Sequence, residues 1–266
     1  MPDFSIMGVV NVTPDSFSDG GLYFDVNAAV AHGLELEAEG AEILDIGGES
    51  TRPGADSVEA DEESRRVVPV IEALVAAGVR ARLSVDTSKA EVTERALAAG
   101  ATFVNDVTAL RGAPRMAELT AAAGAELCLM HMAGTPRTMQ DSPRYGDVVS
   151  EVKSFLEERM AFAVAHGVAE ERIILDPGIG FGKRVEHNLE LLRRLPELVA
   201  IGRPLLVGTS RKSFIGKLTG AEATDRLYGT IATNVIAYER GARLFRVHDV
   251  RPNLDALTVT AATLHG

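Results

Sequence analysis

The strongest constraint on this chain is a repeated one: eight short apolar runs, nearly every one ending in a polar or charged residue that a core would exclude. The runs are Ile6–Val12, Ala41–Gly48, Arg82–Asp86, Phe103–Val107, Leu127–Met132, Ile173–Asp176, Leu205–Ser210 and Leu244–Val250. At or just past their C-terminal ends stand Asn11, Arg52, Asp86, Asn105, His131, Asp176, Lys212 and the pair Arg246 and His248. Between the runs the spacing turns helical, over Asn27–Glu39, Asp61–Ala77, Lys89–Ala99, a segment from Ala113-Pro114 to near Gly124, Asp147–His166, Glu186–Val199, Asp225–Arg240 and Asn253–Leu264. Glycines 40, 78, 100, 124 and 167 close the first five, and Thr87-Ser88 can cap Lys89–Ala99. Strand then helix, repeated without a Ser- or Pro-rich linker, predicts an α/β fold: a single (β/α)8 TIM barrel spanning residues 1–266, with its ligand site at the C-terminal ends of the strands. An open doubly wound sheet is the structural alternative.

Composition narrows the function. The 266 residues match the roughly 250 of one such barrel, and 46% hydrophobic residues can fill its core. A net charge of −11 argues against a nucleic-acid or anionic-membrane surface, yet permits a small cationic pocket. The single cysteine, Cys128, lies in an apolar run, so we expect a buried thiol and no intrachain disulfide. The N-terminal segment lacks a basic stretch followed by an apolar one, and no apolar run reaches roughly 18 residues. The expectation is a soluble cytoplasmic protein.

The strand ends carry the chemistry. Asp86 and Asp176 each end an apolar strand; either caps the next helix, or the two form acceptors for a ligand rich in N–H donors. With Asn105 they suit a flat, nitrogen-rich heterocycle. In Ser210-Arg211-Lys212-Ser213, one of the two cations is expected to enter the cup, where phosphate sites are frequent in this fold. Arg246 and His248 alternate with Phe245 and Val247 and so share one side of their strand. Asn11 and Thr13-Pro14-Asp15-Ser16 offer hard oxygen ligands that suit Mg²⁺ completed by phosphate and water. Arg52 can fork onto a phosphate or carboxylate. His131 reads as a structural hydrogen-bonding group. Gly178-Ile179-Gly180-Phe181-Gly182-Lys183 resembles a phosphate loop but lacks the P-loop spacing. Three long loops, residues 13–26, 49–60 and 133–146, are candidate lids.

Eight motifs, in order along the whole chain, resemble the dihydropteroate synthase family. They are Gly8–Gly21, Asp45–Gly54, Ser84–Thr87, Asn105–Val107, Leu129–Met132, Asp176–Lys183, Ser210–Gly216 and Arg246–Val250. The resemblance implies condensation of 6-hydroxymethyl-7,8-dihydropterin pyrophosphate with p-aminobenzoate, a Mg²⁺ requirement and a homodimer. It places the pterin on Asp86, Asn105, Val107, Met130, Asp176, Phe181, Lys212 and Arg246. It places p-aminobenzoate near Thr51, Arg52, Pro53, Phe181, Lys212 and Ser213, and pyrophosphate on Asn11, Arg52, Arg246 and His248. Asn11 matches the metal ligand, and Arg52, Lys212, Arg246 and His248 match the groups acting on the reaction. The pattern departs at Ala133, at Thr108-Ala109-Leu110 and at Thr209. The competing readings are a methyl-folate-to-corrinoid methyltransferase, which would not need the anion site, and a non-catalytic pterin binder.

Overall fold

All eight apolar runs form strands, because each alternates between two apolar environments rather than between core and water. The computed structural model describes residues 3–13, 26–50, 57–135, 138–140 and 143–265. The strands are β1 Ser5–Asn11, β2 Ile43–Gly47, β3 Arg82–Asp86, β4 Phe103–Asp106, β5 Glu126–Met130, β6 Ile173–Asp176, β7 Leu206–Val207 and β8 Leu244–Val247. Their order is β6-β5-β4-β3-β2-β1-β8-β7, and every named pair is parallel. The two ends of that order meet: Leu175 pairs with Leu205 and donates its N–H to Pro204 O at 3.0 Å. The sheet is thereby closed into a (β/α)8 TIM barrel, and the open-sheet alternative is excluded.

The helices are α1 Val26–Ala38, α2 Ala60–Ala76, α3 Ala90–Ala99, α4 Met116–Ala123, α5 Val148–Ala165, α6 Val185–Arg193, α7 Leu195–Val199, α8 Ser213–Thr219, α9 Leu227–Glu239 and α10 Val250–His265. Three details differ from expectation. The segment Glu186–Val199 is two helices, because Pro196 has no N–H for Leu192 O, which instead accepts from Arg240 Nη1 at 3.0 Å. Lys89, not Thr87 or Ser88, is the N-cap of α3, and Thr87 Oγ1 accepts the Lys89 N–H at 3.3 Å in a local turn. Short α8 follows β7 in a segment for which the spacing predicts no helix.

Alternation along the strands sorts the residues into two cores. Val10, Leu44, Ile46, Val85, Val104, Leu127, Leu129, Leu175, Val207 and Phe245 face the helices in the main core. Met7, Ile43, Phe103, Cys128, Ile174, Leu206 and Leu244 fill the barrel interior as a separate apolar plug. Cys128 is buried there as expected, and burial pushes its thiol pKa up. Two residues further along β2, β4 and β8 the inward positions become Asp45, Asn105 and Arg246, and Ser84 of β3 joins them by its bond to Asp45. The interior therefore changes from hydrocarbon to charge within one step of the pleat. Among the described residues no helix is long and apolar enough to cross a membrane.

The plug should behave as a packed core. Phe103 is fully buried, so Phe103→Ala is expected to cost about 3–5 kcal/mol in urea unfolding, through lost burial and an unfilled cavity.

Candidate active site

Asp45 anchors the polar layer. It is fully buried, and its carboxylate accepts from Ser84 Oγ at 2.6 Å, Asn105 Nδ2 at 3.0 Å and Arg246 Nε at 2.6 Å. Arg246 Nη2 donates onward to Asp86 Oδ2 at 2.9 Å. One guanidinium thus bridges two carboxylates from β2 and β3 with two of its five N–H donors. Burial alone would lower the Arg246 pKa, but Asp45 and Asp86 outweigh it and hold the group charged. Burial pushes Asp86 upward, and Arg246 opposes the shift. Asp86 Oδ1 is buried with no hydrogen-bond partner among the described residues. A buried acceptor left open in this way costs about 1–3 kcal/mol, which a ligand N–H would recover.

The opposite wall carries Asp176 and Lys212. Asp176 Oδ1 accepts the Gly178 N–H at 2.6 Å, so part of the residue serves a local turn; it does not cap the next helix, whose N-cap is Arg184. Burial raises its pKa, while Lys212 and the Gly178 N–H lower it. Asp86 likewise does not cap α3. Arg211 adopts a left-handed φ of 56°, which separates the two cations. Arg211 turns to Asp249, at 3.1 Å and 2.5 Å, while Lys212 reaches Ile179 O and lies 4.4 Å from the centroid of the Phe181 ring. Burial pushes Lys212 down to about 8, against the pull of Asp176. Val107, Met130, Met132 and Met139 form an apolar cluster with Phe181 packed on it. Ser210 Oγ and His248 Nδ1, 2.9 Å apart, tie the ends of the seventh and eighth strand runs together.

The structure brings Asp86, Asn105, Asp176, Lys212, Arg246 and the apolar group Val107, Met130 and Phe181 to the C-terminal end of the barrel. Asn11 ends β1 beside Gly47, His248 is half-buried, and Ser213 is exposed at the start of α8. Thr51, Arg52 and Pro53, and most of the loop after β1, lie outside the described residues. Among the described residues no group of three or more His, Cys, Asp or Glu could hold a metal ion. The donor set still fits Mg²⁺, since one amide oxygen from Asn11 suffices when phosphate and water supply the rest. Sequence reasoning missed Asp45. Its signal was a carboxylate inside a five-residue apolar strand, at the same parity as Gly47. Met139 was missed because it sits in a loop.

The three departures from the family pattern fit their surroundings. A Cβ on Gly182 would stand 2.8 Å from Ala133 Cβ, so there is little room at this contact. Asp106 accepts from Thr108 N, Thr108 Oγ1 and Leu110 N at 2.6–2.8 Å, holding Ala109 and Leu110 at positive φ. Thr209 donates to Asn234 Oδ1 at 3.0 Å and accepts from Thr233 at 2.8 Å.

Comparison with known proteins agrees with this geometry. The sequence pattern described as "Pterin binding enzyme" matches residues 7–248. The chain is 51% identical to the dihydropteroate synthase of Neisseria meningitidis serogroup B, over 97% of this chain and 92% of that protein. It is 48% identical to that of Escherichia coli K12, over 97% and 91%. Among solved structures, Xanthomonas albilineans dihydropteroate synthase with 4-aminobenzoic acid superposes with a TM-score of 0.92 at 52% identity, over 98% of this chain and 93% of that one. The same enzyme in complex with 7,8-dihydropteroate gives 0.88 at 48%, over 98% and 94%.

Two outcomes test the electrostatics. Asp45→Ala leaves Ser84, Asn105 and Arg246 without their shared acceptor, and is expected to cost about 3 kcal/mol in denaturant unfolding, the low end for a broken buried pair because Arg246 keeps Asp86. In ¹³C-labelled-lysine NMR, a resonance absent from Lys212→Met should titrate near pH 8, well below ordinary lysines.

Proposed function

The chain belongs to the pterin-binding enzymes, and we propose that it acts as a dihydropteroate synthase, joining 6-hydroxymethyl-7,8-dihydropterin pyrophosphate to p-aminobenzoate. The open oxygen of Asp86, set beside the Asp45–Arg246 bridge, is the observation that carries the reading: among the described residues this buried acceptor has no donor, and a pterin supplies one. The described cup holds three carboxylates, Asp45, Asp86 and Asp176, against Arg246 and Lys212. That balance favours a ligand that is donor-rich and becomes cationic.

The guanidine-like edge of the pterin pairs with Asp176, whose Oδ2 is not used by the local turn, while Asp86 and Asn105 take other ring atoms. Lys212 donates to the ring carbonyl or N5. Val107, Met130 and Phe181 supply apolar walls for a flat ring. Phe181, Lys212 and Ser213, with Thr51, Arg52 and Pro53, receive p-aminobenzoate. Asn11, Arg52, Arg246 and His248 receive the pyrophosphate, and Asn11 also ligates Mg²⁺, which neutralises phosphate charge when bound. As the C–O bond to pyrophosphate breaks, Arg52, Arg246 and His248 stabilise the charge growing on the leaving oxygen. The pterin methylene becomes cationic, which Asp86 and Asp176 favour. The neutral amine of p-aminobenzoate forms the C–N bond with its own lone pair and then releases a proton to solvent. Positioning and charge stabilisation therefore do most of the work. The candidate lids of residues 13–26 and 49–60 lie in large part outside the described residues. A cytoplasmic homodimer belongs to the same reading; light scattering should give twice the mass of the chain.

Purified protein with Mg²⁺ and both substrates should yield dihydropteroate and pyrophosphate in equal amounts. Pterin binding without product, or methyl transfer without pyrophosphate, would contradict the assignment. Asp176→Ala or Lys212→Ala should remain folded yet weaken pterin affinity tenfold or more by calorimetry, as expected from losing about 1.5–3 kcal/mol of charge-assisted hydrogen bonding. Unchanged affinity would remove those residues from the site.

A further inference from the structure

The carbonyls of the glycine-rich segment after β6 are held by side-chain donors, while its Gly178 and Gly180 N–H groups donate to Asp176 Oδ1 and Asn188 Oδ1 at 2.6 and 2.7 Å. Gly178 O and Phe181 O accept from Lys183 Nζ at 2.9 and 3.0 Å, and Ile179 O accepts from Lys212 Nζ. Gly180 O accepts from Gln140 Nε2 at 2.8 Å, and Gly182 O from Tyr145 Oη at 2.8 Å. Lys183, 3% exposed, makes a third contact with His131 Nδ1 at 2.9 Å. The loop lies so close to the end of β5 that a Cβ on Gly178 would fall 1.9 Å from His131 O.

We propose, resting on the reaction assigned above, that Lys183 with His131 is the positioning pair that sets Lys212 and Phe181 for p-aminobenzoate. The chain of contacts is short. Lys183 pins the carbonyls on either side of Ile179, and Ile179 O holds the Lys212 ammonium. The same pinned segment carries the Phe181 ring that faces Lys212. Lys183 Nζ also lies 3.4 Å from His131 O, so both the ring and the backbone of His131 meet it, and Nδ1 accepts when the imidazole is neutral with its proton on Nε2. Burial and Lys183 itself hold the His131 imidazole down to about 2, which keeps it neutral. Burial pushes the Lys183 pKa well down, Asp176 opposes the shift and Lys212 adds to it.

The test is steady-state kinetics by pyrophosphate release, with the wild-type chain run alongside, so that failure of the assigned reaction is seen separately as an inactive wild type. Lys183→Met is expected to stay folded by circular dichroism and raise KM for p-aminobenzoate at least tenfold. His131→Leu should move KM the same way, whereas His131→Asn, which keeps an acceptor near the Nδ1 position, should stay within threefold of wild type. On a Phe181→Ala background, Lys183→Met should add less than threefold. An unchanged KM in Lys183→Met, equal losses in His131→Asn and His131→Leu, or a full tenfold loss on the Phe181→Ala background would overturn the proposal. If Lys183→Met does not fold, the two His131 variants decide it alone.

Discussion

Everything at the mouth of this barrel depends on keeping Asp45 buried. A lone carboxylate inside an apolar cylinder would be expensive, and only a full set of donors makes it tolerable. Ser84, Asn105 and Arg246 provide them from three other strands, so the charge also fixes three side chains. Arg246 is then not a mobile anion binder. It is held by Asp45 and Asp86 before any substrate arrives, and can present its remaining N–H groups without reorganising. The apolar plug beneath withholds water and keeps these interactions strong.

The loop after β6 shows how a familiar composition can carry the reverse polarity. A glycine-rich run ending in lysine suggests a cradle of N–H groups for phosphate. Here its carbonyls point at Lys183, Lys212, Gln140 and Tyr145. Gly178, Gly180 and Gly182 each adopt positive φ. At Gly178 no other residue would fit against His131. The segment serves as a carbonyl scaffold for Lys183 and Lys212.

Much of this was legible in the chain. Strand existence and order followed from apolar runs interrupted by helical spacing, and the convergence of Asp86, Asn105, Asp176, Lys212 and Arg246 followed from their place at strand ends. That one cation of Arg211-Lys212 enters the cup was readable, but which one was not, since a left-handed turn at Arg211 decides it. His131 is the structural hydrogen-bonding group expected, with a lysine partner 52 residues away that no local pattern reveals. Asp45 was hidden for the opposite reason: it looks like one more strand residue until the register aligns it with Ser84. The break at Pro196 and the short helix Ser213–Thr219 were lost to local effects smaller than the periodic signal.

A crystal structure of the chain with a bound pterin tests the central claim most directly. The account predicts Asp86 Oδ1 and Asp176 Oδ2 both accepting ring N–H groups at about 2.7–3.2 Å, with Arg246 still on Asp45. A pterin bound elsewhere, or Arg246 drawn away from Asp45 while Asp86 Oδ1 stays unpaired, would contradict it.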